Sequence, residues 1–226
     1  MIDALCVGEH PDDVEIGMGG TVAGMVREGM SVAIVDLTDG EPTPSGTKAM
    51  RAAEAARAAE VLGVDRRILD FPNRELFDTV EVRKALAEVV RELKPRILFA
   101  PYGVDAHPDH ISASAIAEAA RFYSKFVKTD MTGEPHYPAK VYHYWAARLW
   151  VVEKPSFIVD VSDGFAAKMS ALECYASQFK ANKSGAGVVR WVETQGAAWG
   201  ALIGRAAAEP FYAREEVGIK SISSLL

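Results

Sequence analysis

The 226-residue chain is poor in cysteine and contains no long apolar run. Its two cysteines, Cys6 and Cys174, are too few for a disulfide framework, and Cys6 lies in an apolar segment typical of a buried thiol. No apolar run approaches the ~18 residues of a membrane span, and no basic segment precedes a long apolar one at the first residues. We therefore expect a cytoplasmic protein without a membrane partner.

Basic charge is also in short supply. The 25 lysines and arginines are outnumbered by 31 acidic residues, which gives a net charge of −6, and the basic residues are scattered. Because a phosphate backbone is bound by a basic field, a nucleic-acid partner is not expected. Nearly half of the residues, 49%, are hydrophobic, and the length suits one large domain. We expect a single α/β domain over residues 1–226.

Short apolar runs alternate with segments of helical spacing. The runs rich in β-branched residues predict six strands, at Ile2–Val7, Ser31–Leu37, Arg67–Phe71, Arg96–Ala100, Val141–Trp145 and Ser156–Val161. The clearest helices are Thr47–Leu62 and Val80–Leu93, and residues 180–187 are expected to form a mobile loop before a last helix. This alternation predicts a doubly wound, mostly parallel sheet with helices on both faces, whose ligands bind at the carboxyl ends of the strands.

Polar side chains crowd the end of the first predicted strand. The stretch GEHPDDVEIGMGGT, residues 8–21, directly follows the first apolar run. His10 and Asp13 are three residues apart, so they project from one side of a first helical turn, whereas Asp12 points elsewhere. The stretch therefore supplies two ligand side chains and one free carboxylate.

A second polar group follows the fourth predicted strand. In PYGVDAHPDH, residues 101–110, His107 and His110 are again three residues apart, with Asp109 between them. Both groups lie at the carboxyl ends of strands that are expected to be central. An imidazole, a carboxylate and a second imidazole form the three-ligand shell of many catalytic zinc sites, which leaves a fourth position for water.

Other histidines and glycines carry less weight. His136 lies in the turn-rich segment 130–138, and His143 alternates with Tyr142 and Tyr144 on a predicted strand, so neither is expected to be catalytic. The glycines of GMGGT match the dinucleotide-binding pattern only in part. They are interpreted as residues that let the first helix pass close to the sheet.

Five motifs together give the chain a specific resemblance. They are HPDDVEIGMGGT at residues 10–21, DLTDGE at 36–41, SGT at 45–47 followed by Arg51, FAPYGVDAHPDH at 99–110, and YASQF at 175–179. The chain resembles the LmbE/PIG-L family of zinc-dependent N-deacetylases. Within that family it is most similar to the bacillithiol-biosynthesis branch, whose members deacetylate N-acetylglucosaminyl malate.

The resemblance implies a role for each matching residue. It implies a Zn²⁺ ion held by three side chains, those of His10, Asp13 and His110. It also implies that Asp12 is the general base, that His107 acts beside the metal while Asp109 orients it, and that Arg51 contacts the substrate. The expected reaction is hydrolysis of the acetamide of an acetylated amino sugar. Family members commonly form homo-oligomers, often hexamers, and the same is expected here.

Three departures from the bacillithiol pattern bear on the substrate. Glu9 adds a carboxylate before the first histidine, Ala106 replaces an arginine, and Ala197 replaces a tyrosine. A lost cation and an added acid weaken the grip on a malate dicarboxylate, which favours cationic partners. Trp191 and Trp199 flank Ala197 and supply either a wall for a sugar or core aromatics.

Two alternatives follow from these departures. The chain could deacetylate another N-acetylglucosamine derivative, such as the end of a chitooligosaccharide, or cleave the amide of a thiol conjugate. A more remote alternative is a metal- or nucleotide-binding module without catalysis. The presence of both Asp12 and His107 counts against that alternative, because a purely structural metal site has no need of them.

Overall fold

The computed structural model describes residues 1–146, 153–181, 185–219 and 221, and at residues 185 and 186 it describes the backbone alone. Within these residues seven strands form one sheet. Their order across the sheet is β3-β2-β1-β4-β5-β7-β6. The strands are β1 Ala4–Gly8, β2 Val32–Thr38, β3 Asp65–Phe71, β4 Ile97–Pro101, β5 Lys140–Tyr144, β6 Phe157–Asp160 and β7 Ala208–Tyr212.

The sheet is mostly parallel, as the alternation predicts. Strands β1 to β5 pair in parallel, and β7 runs antiparallel to both of its neighbours, β5 and β6. The centre of the sheet is formed by β1, between β2 and β4, and every residue of β1 is buried. The two strands that precede the His-Pro-Asp motifs are therefore direct neighbours.

Helices cover both faces of the sheet. They are α1 Asp13–Arg27, α2 Lys48–Leu62, α3 Val80–Leu93, α4 Pro108–Tyr123, α5 Phe165–Glu173, α6 Ala176–Phe179 and α7 Gly185–Leu202. Alternate residues of β1 enter two separate cores, because successive strand residues point to opposite faces. Ala4 and Cys6 pack with residues of α1, α2 and α5, whereas Leu5 and Val7 pack with residues of α3 and α4. The predicted fold class is confirmed.

The predicted elements are largely found, with one strand missed. All six predicted strands and both predicted helices are present, with ends shifted by at most a few residues. The region after Phe179 was expected to contain only a loop and a helix, but β7 follows α7 and fills the gap between β5 and β6. Pro210 lies inside this strand and cannot donate to a ladder, so the segment lacks the usual strand pattern. Of the expected loop, residues 185–187 belong to α7 instead, and residues 182–184 lie outside the described residues.

Among the described residues, no helix combines the length and the apolar character that a membrane crossing requires. Both cysteines are free thiols, and that of Cys6 is buried in the core, as expected.

Candidate active site

The two His-Pro-Asp motifs meet at one edge of the sheet. The first lies between the end of β1 and the start of α1, and the second lies between the end of β4 and the start of α4. Because β1 and β4 are paired in parallel, their carboxyl ends open on the same side. This register places the rings of His10, His107 and His110 within 5.6 Å of one another, measured between centroids.

Two of these histidines and one aspartate of the first motif form a group that can hold a metal ion. Ligand atoms of His10, Asp13 and His110 all lie within 4.8 Å of one another. Nδ1 of His10 is 2.9 Å from Oδ2 of Asp13, and Nε2 of His110 is 3.7 Å from the same oxygen. Two imidazoles and a carboxylate are donors that zinc accepts, and the three side chains are almost buried. The residues present therefore fit the metal that the resemblance implies.

Asp105 orients the second motif and was not singled out in the sequence. Its carboxylate accepts a hydrogen bond from the backbone N–H of His107 at 2.8 Å, and it lies 3.0 Å from Nδ1 of His110. A metal-binding histidine usually makes such a bond with its other nitrogen, which fixes the ring. Nε2 of His110 is thereby directed into the site. In the sequence this carboxylate lies two residues before His107 and five before His110, and that spacing was the available signal.

Glu9 also reaches the site, from the end of β1. Its side chain is fully buried, and Oε1 is 3.1 Å from Nε2 of His110. Oε2 accepts a hydrogen bond from the hydroxyl of Tyr144 at 3.3 Å. The additional carboxylate seen in the sequence is thus part of the metal group's surroundings.

His107 caps helix α4, and its contact with Asp109 differs from the expectation. The carboxylate of Asp109 was expected to orient the ring, but Oδ2 lies 3.2 Å from Nε2 of His10 and accepts from the backbone N–H of Arg74 at 2.7 Å. It is the backbone N–H of Asp109 that donates to Nδ1 of His107, at 3.2 Å. The reason is the cap geometry, which turns the ring toward the first N–H groups of the helix. An accepting Nδ1 places the proton of the neutral ring on Nε2.

Asp12 stands apart from the metal group, as its position in the motif predicts. Its φ of 119° is a conformation that non-glycine residues rarely adopt, and such strain costs about 1–3 kcal/mol and is typical of functional sites. Arg51 lies beside it: Nη1 donates to Oδ2 of Asp12 at 3.2 Å, and Nη2 donates to the carbonyl of Pro11 at 2.6 Å. Arg51 is only 2% exposed, and both of these hydrogen bonds hold it against this turn.

The surroundings of the two aspartates give them different pKa values. Burial raises the pKa of Asp12 to about 7 against the opposing effect of Arg51. Burial also favours the neutral form of Asp13, but the positive charges of His110 and His10 outweigh it and lower the pKa of Asp13. Two adjacent carboxylates therefore differ widely in pKa, which is typical of sites that separate a proton acceptor from a permanent anion.

The pKa values of His110 and His107 also move in opposite directions. Burial opposes protonation of His110, but the carboxylates of Glu9 and Asp13 raise its pKa to about 9. Burial and the nearby positive charges of His10 and His110 lower the pKa of His107. Burial and the charge of Asp13 raise the pKa of Glu9 to about 8. His107 is therefore the imidazole of this cluster whose pKa is lowered.

A buried ionic network supports the start of α1 from below. Arg66 on β3 binds Asp36 on β2 through two hydrogen bonds of 2.6 and 2.8 Å, and it also pairs with Glu15 on α1. The hydroxyl of Tyr175, from the YASQF motif, donates to Glu15 at 2.8 Å. The ring of Tyr175 lies 5.7 Å beneath the guanidinium of Arg51. Residues from motifs that are far apart in the sequence thus contact one another and pack beside the turn that contains Asp12.

The tryptophans near Ala197 line a cavity along α1. Trp145, Trp191 and Trp199 border a space of about 180 Å³ that also touches Gly17, one turn beyond Asp13. The rings of Trp145 and Trp199 are 5.2 Å apart between centroids. His143, in contrast, is held by Pro101 and Glu118, and His136 binds the carbonyl of Pro95, so both have the structural contacts expected of them.

The family model described as PIG-L, GlcNAc-PI de-N-acetylase, matches residues 5–121. That span covers about half of the chain and contains both His-Pro-Asp motifs and Arg51. The chain belongs to the PIG-L family. It is accordingly an enzyme of the deacetylase class. Two groups of side chains could hold a metal ion, His10 with Asp13 and His110, and His10 with His107 and Asp109.

Individual PIG-L proteins show how far the similarity extends. The diacetylchitobiose deacetylase of Thermococcus kodakarensis is 35% identical over 191 residues, which cover 77% of this chain and 69% of that protein. A conserved protein of Thermus thermophilus has a TM-score of 0.90 at 38% identity, covering 98% of this chain and 99% of the other. The N,N'-diacetylchitobiose deacetylase of Pyrococcus horikoshii has a TM-score of 0.83 at 27% identity, covering 99% and 88%.

Proposed function

We propose that the protein is a zinc-dependent N-deacetylase that hydrolyses the acetamide of an N-acetylglucosamine derivative. The observation that carries the proposal is the convergence of three metal donors with two further groups suited to proton transfer and charge stabilisation. The donors are His10, Asp13 and His110, and the flanking groups are Asp12 and His107. A zinc ion bound there would polarise the amide carbonyl and lower the pKa of water from about 15.7 toward 7.

Asp12 acts as the general base. In this proposal a water on the ion gives its proton to the Asp12 carboxylate, whose side chain is 13% exposed. Its raised pKa of about 7 suits a group that must gain and lose a proton near neutral pH. Arg51 holds one oxygen of the carboxylate, which leaves the other free to accept the proton.

His107 stabilises the negative charge that develops on the amide oxygen. Its Nδ1 is occupied by the backbone N–H of Asp109, so Nε2 carries the proton and can donate to the oxyanion. A preorganised donor of this kind is worth about 3 kcal/mol in other enzymes. Asp12 then returns its proton to the nitrogen, which leaves as a primary amine while acetate is released.

For the substrate we propose the end of a short N-acetylated chitooligosaccharide. The similarity to two diacetylchitobiose deacetylases supports this choice. N-acetylglucosaminyl malate is the second candidate, which the opening motif favours. The buried Glu9 and the missing cation at Ala106 count against it.

Amine release from three substrates tests this choice. The zinc-quantified protein is given N,N'-diacetylchitobiose, N-acetylglucosaminyl malate and N-acetylglucosamine side by side, with Asp12→Ala as the blank. We expect the highest kcat/KM with diacetylchitobiose. A clear preference for the malate conjugate would instead assign the bacillithiol branch, and no amine from any of the three would reject acetylated glucosamine as the substrate.

Three further expectations belong to the same proposal. We propose that residues 1–226 work as one deacetylase domain, that the protein acts in the cytoplasm, and that it assembles as a homo-oligomer, with a hexamer as the family-based expectation. Sedimentation velocity of the purified protein checks the last of these.

A further inference from the structure

The cavity along α1 has aromatic walls and room for one six-membered ring. Its volume is about 180 Å³, and a cavity of about 150 Å³ in another protein binds benzene. Its lining includes Trp145, Trp191 and Trp199, three of the four tryptophans in the chain. Indole rings bury a large flat area against whatever packs on them. The cavity therefore suits a small cyclic molecule with an apolar face.

Two of these indoles lie on a partly exposed ridge of α7. Trp191, Gln195 and Trp199 follow one another at intervals of four residues, so they share one side of the helix, and all three are half-buried. The tightest packing of α7 lies beside this ridge, at Gly196, where an added Cβ would overlap the ring of Phe165. The two tryptophans of α7 thus form a wall that a ligand can reach, rather than core aromatics.

The lining also has hydrogen-bonding groups that the protein does not use. Nε1 of Trp145 is buried and has no hydrogen-bond partner among the described residues, although buried indole N–H groups usually have one. The side-chain amide of Gln195 likewise makes no hydrogen bond to a described residue. Lys168 and Glu209, the two charged residues of the lining, pair with each other at 2.6 Å. The cavity therefore favours a neutral ligand with several oxygen atoms.

The cavity borders both chain segments that form the metal group. Gly17, in its wall, lies four residues after Asp13, so the two share one side of α1 and are about 6 Å apart along the helix axis. The ring of Trp145 lies 6.2 Å from that of Tyr102, which directly follows β4 in the segment that leads to the second motif. A molecule extending from the metal group can therefore reach the cavity.

We propose that this cavity binds the second sugar ring of the substrate, the neutral pyranose to which the reacting N-acetylglucosamine is joined. The inference rests on the proposed function and names the subsite that favours an oligosaccharide over a single sugar. A pyranose ring has apolar C–H faces, which pack on the indole of Trp199, and a rim of oxygens, which bind Gln195 and Trp145. A malate dicarboxylate would find no free cation here, because Lys168 already pairs with Glu209.

Rates with two sugars test the subsite. The value of kcat/KM is measured with N,N'-diacetylchitobiose and with N-acetylglucosamine for the wild type, Trp199→Ala and Gln195→Ala. We expect each substitution to lower kcat/KM for the disaccharide by about 3–10-fold, mainly through KM, because one packing or hydrogen-bonding contact is lost. The value for the monosaccharide should stay at that of the wild type, since its single ring occupies the metal group.

Two variants on the same helix keep the test sharp. Gln195→Ala carries it if Trp199→Ala does not fold, because the amide of Gln195 makes no hydrogen bond to a described residue. Thr194→Ala is the matched control, since Thr194 is exposed and its hydroxyl donates to the carbonyl of Arg190 at 2.8 Å. Its kcat/KM should equal that of the wild type with both sugars.

Intrinsic fluorescence gives a second readout that does not depend on turnover. Because three of the four tryptophans line the cavity, N,N'-diacetylchitobiose should change the tryptophan emission of the inactive Asp12→Ala protein. Adding Gln195→Ala to that protein should raise the Kd of the disaccharide by about 3–10-fold. Adding Thr194→Ala should leave it unchanged.

The outcomes separate the subsite from the proposed function. Unchanged values for the disaccharide in both cavity variants, or equal losses with both sugars, would overturn the subsite and leave the deacetylase activity intact. A wild type that binds zinc but releases amine from neither sugar would overturn the proposed function, and the subsite with it.

Discussion

At the residue scale, two adjacent aspartates lie in different surroundings and have different proposed roles. Asp12 and Asp13 are adjacent in the chain, yet one lies in a strained turn beside Arg51 and the other faces two histidines. Burial raises the pKa of Asp12 despite Arg51, whereas at Asp13 the positive charges of the two histidines outweigh burial and lower the pKa. In the proposed mechanism, a proton acceptor and a metal donor are thus adjacent residues.

This separation predicts different losses in two variants. Asp12→Ala removes the base but no metal donor, so we expect full zinc content and a fall in kcat of about 10²–10⁴-fold. His110→Ala removes a donor, so both zinc content and turnover should be lost. Zinc analysis of the dialysed proteins and initial rates measure both effects. Equal loss of zinc in the two variants would contradict the assignment.

Arg51 gives a second prediction at this scale. A lysine lacks the planar guanidinium whose separate nitrogens bind Asp12 and the carbonyl of Pro11. Arg51→Lys should therefore lower kcat by about 10–100-fold, because Asp12 is less well positioned. Arg57→Lys, at an exposed arginine of the same helix, should change little. A rise in KM at unchanged kcat would instead indicate the substrate contact that the resemblance implies.

Much of the site could be predicted from residue spacing, because histidines and acids three residues apart share one side of a helical turn. That rule brings His10 and Asp13 together and separates Asp12. It could not assign the carboxylate of Asp109, since the contact with His10 joins residues 99 positions apart. Nor could it find Asp105, whose function depends on how the loop after β4 folds back.

At the element scale, α1 carries the first motif and must pass very close to β5. A Cβ added at Gly17 would overlap Cδ2 of Tyr144 and would lie 3.0 Å from the carbonyl oxygen of Trp145. The same tyrosine binds Val7 and Glu9 at the end of β1. The glycines after the motif therefore set the distance between the helix and the site, as the sequence predicts.

Replacement of this glycine should be costly. Gly17→Ala forces α1 and β5 apart, so we expect a loss of about 1–3 kcal/mol in the free energy of unfolding and lower turnover. Gly24→Ala, in the same helix, meets nothing within 4 Å and should raise stability by up to about 1 kcal/mol. Urea unfolding of both variants measures the difference. Similar stability of the two would contradict the close approach.

The elements that sequence periodicity predicts best are buried strands with apolar runs and helices with clear caps. Strands β1, β2 and β4 are mostly apolar and buried, and helices α2 and α3 have threonine caps at their first turns. Strand β7 was missed because its contacts are with distant strands and because Pro210 interrupts its pattern. Tertiary pairing alone makes this segment a strand.

At the scale of the whole molecule, one buried ion pair joins three parts of the fold. Glu209 on β7 accepts hydrogen bonds from the backbone N–H groups of Gly20 and Thr21 on α1, at 2.9 and 2.7 Å. Nζ of Lys168 on α5 lies 2.6 Å from the same carboxylate. The last strand is thereby tied to the helix that begins at the site.

Loss of one partner should weaken this connection. Lys168→Met leaves Glu209 buried without its cation, so we expect the free energy of unfolding to fall by about 3–5 kcal/mol. Arg27→Met breaks a surface pair with Asp163, in which both side chains are more than half exposed, and should cost at most about 1 kcal/mol. Guanidinium unfolding compares them. Equal losses in the free energy of unfolding would show that the buried pair contributes no more stability than the surface pair.

The most direct test of the central claim is metal removal and restoration with both products measured. The protein is stripped with a chelator, given N,N'-diacetylchitobiose, and then supplied with one equivalent of Zn²⁺, while acetate and primary amine are quantified. The account predicts no products before zinc is added, and acetate and amine in equal amounts afterwards. Undiminished turnover in the stripped protein would contradict metal-dependent deacetylation at this site.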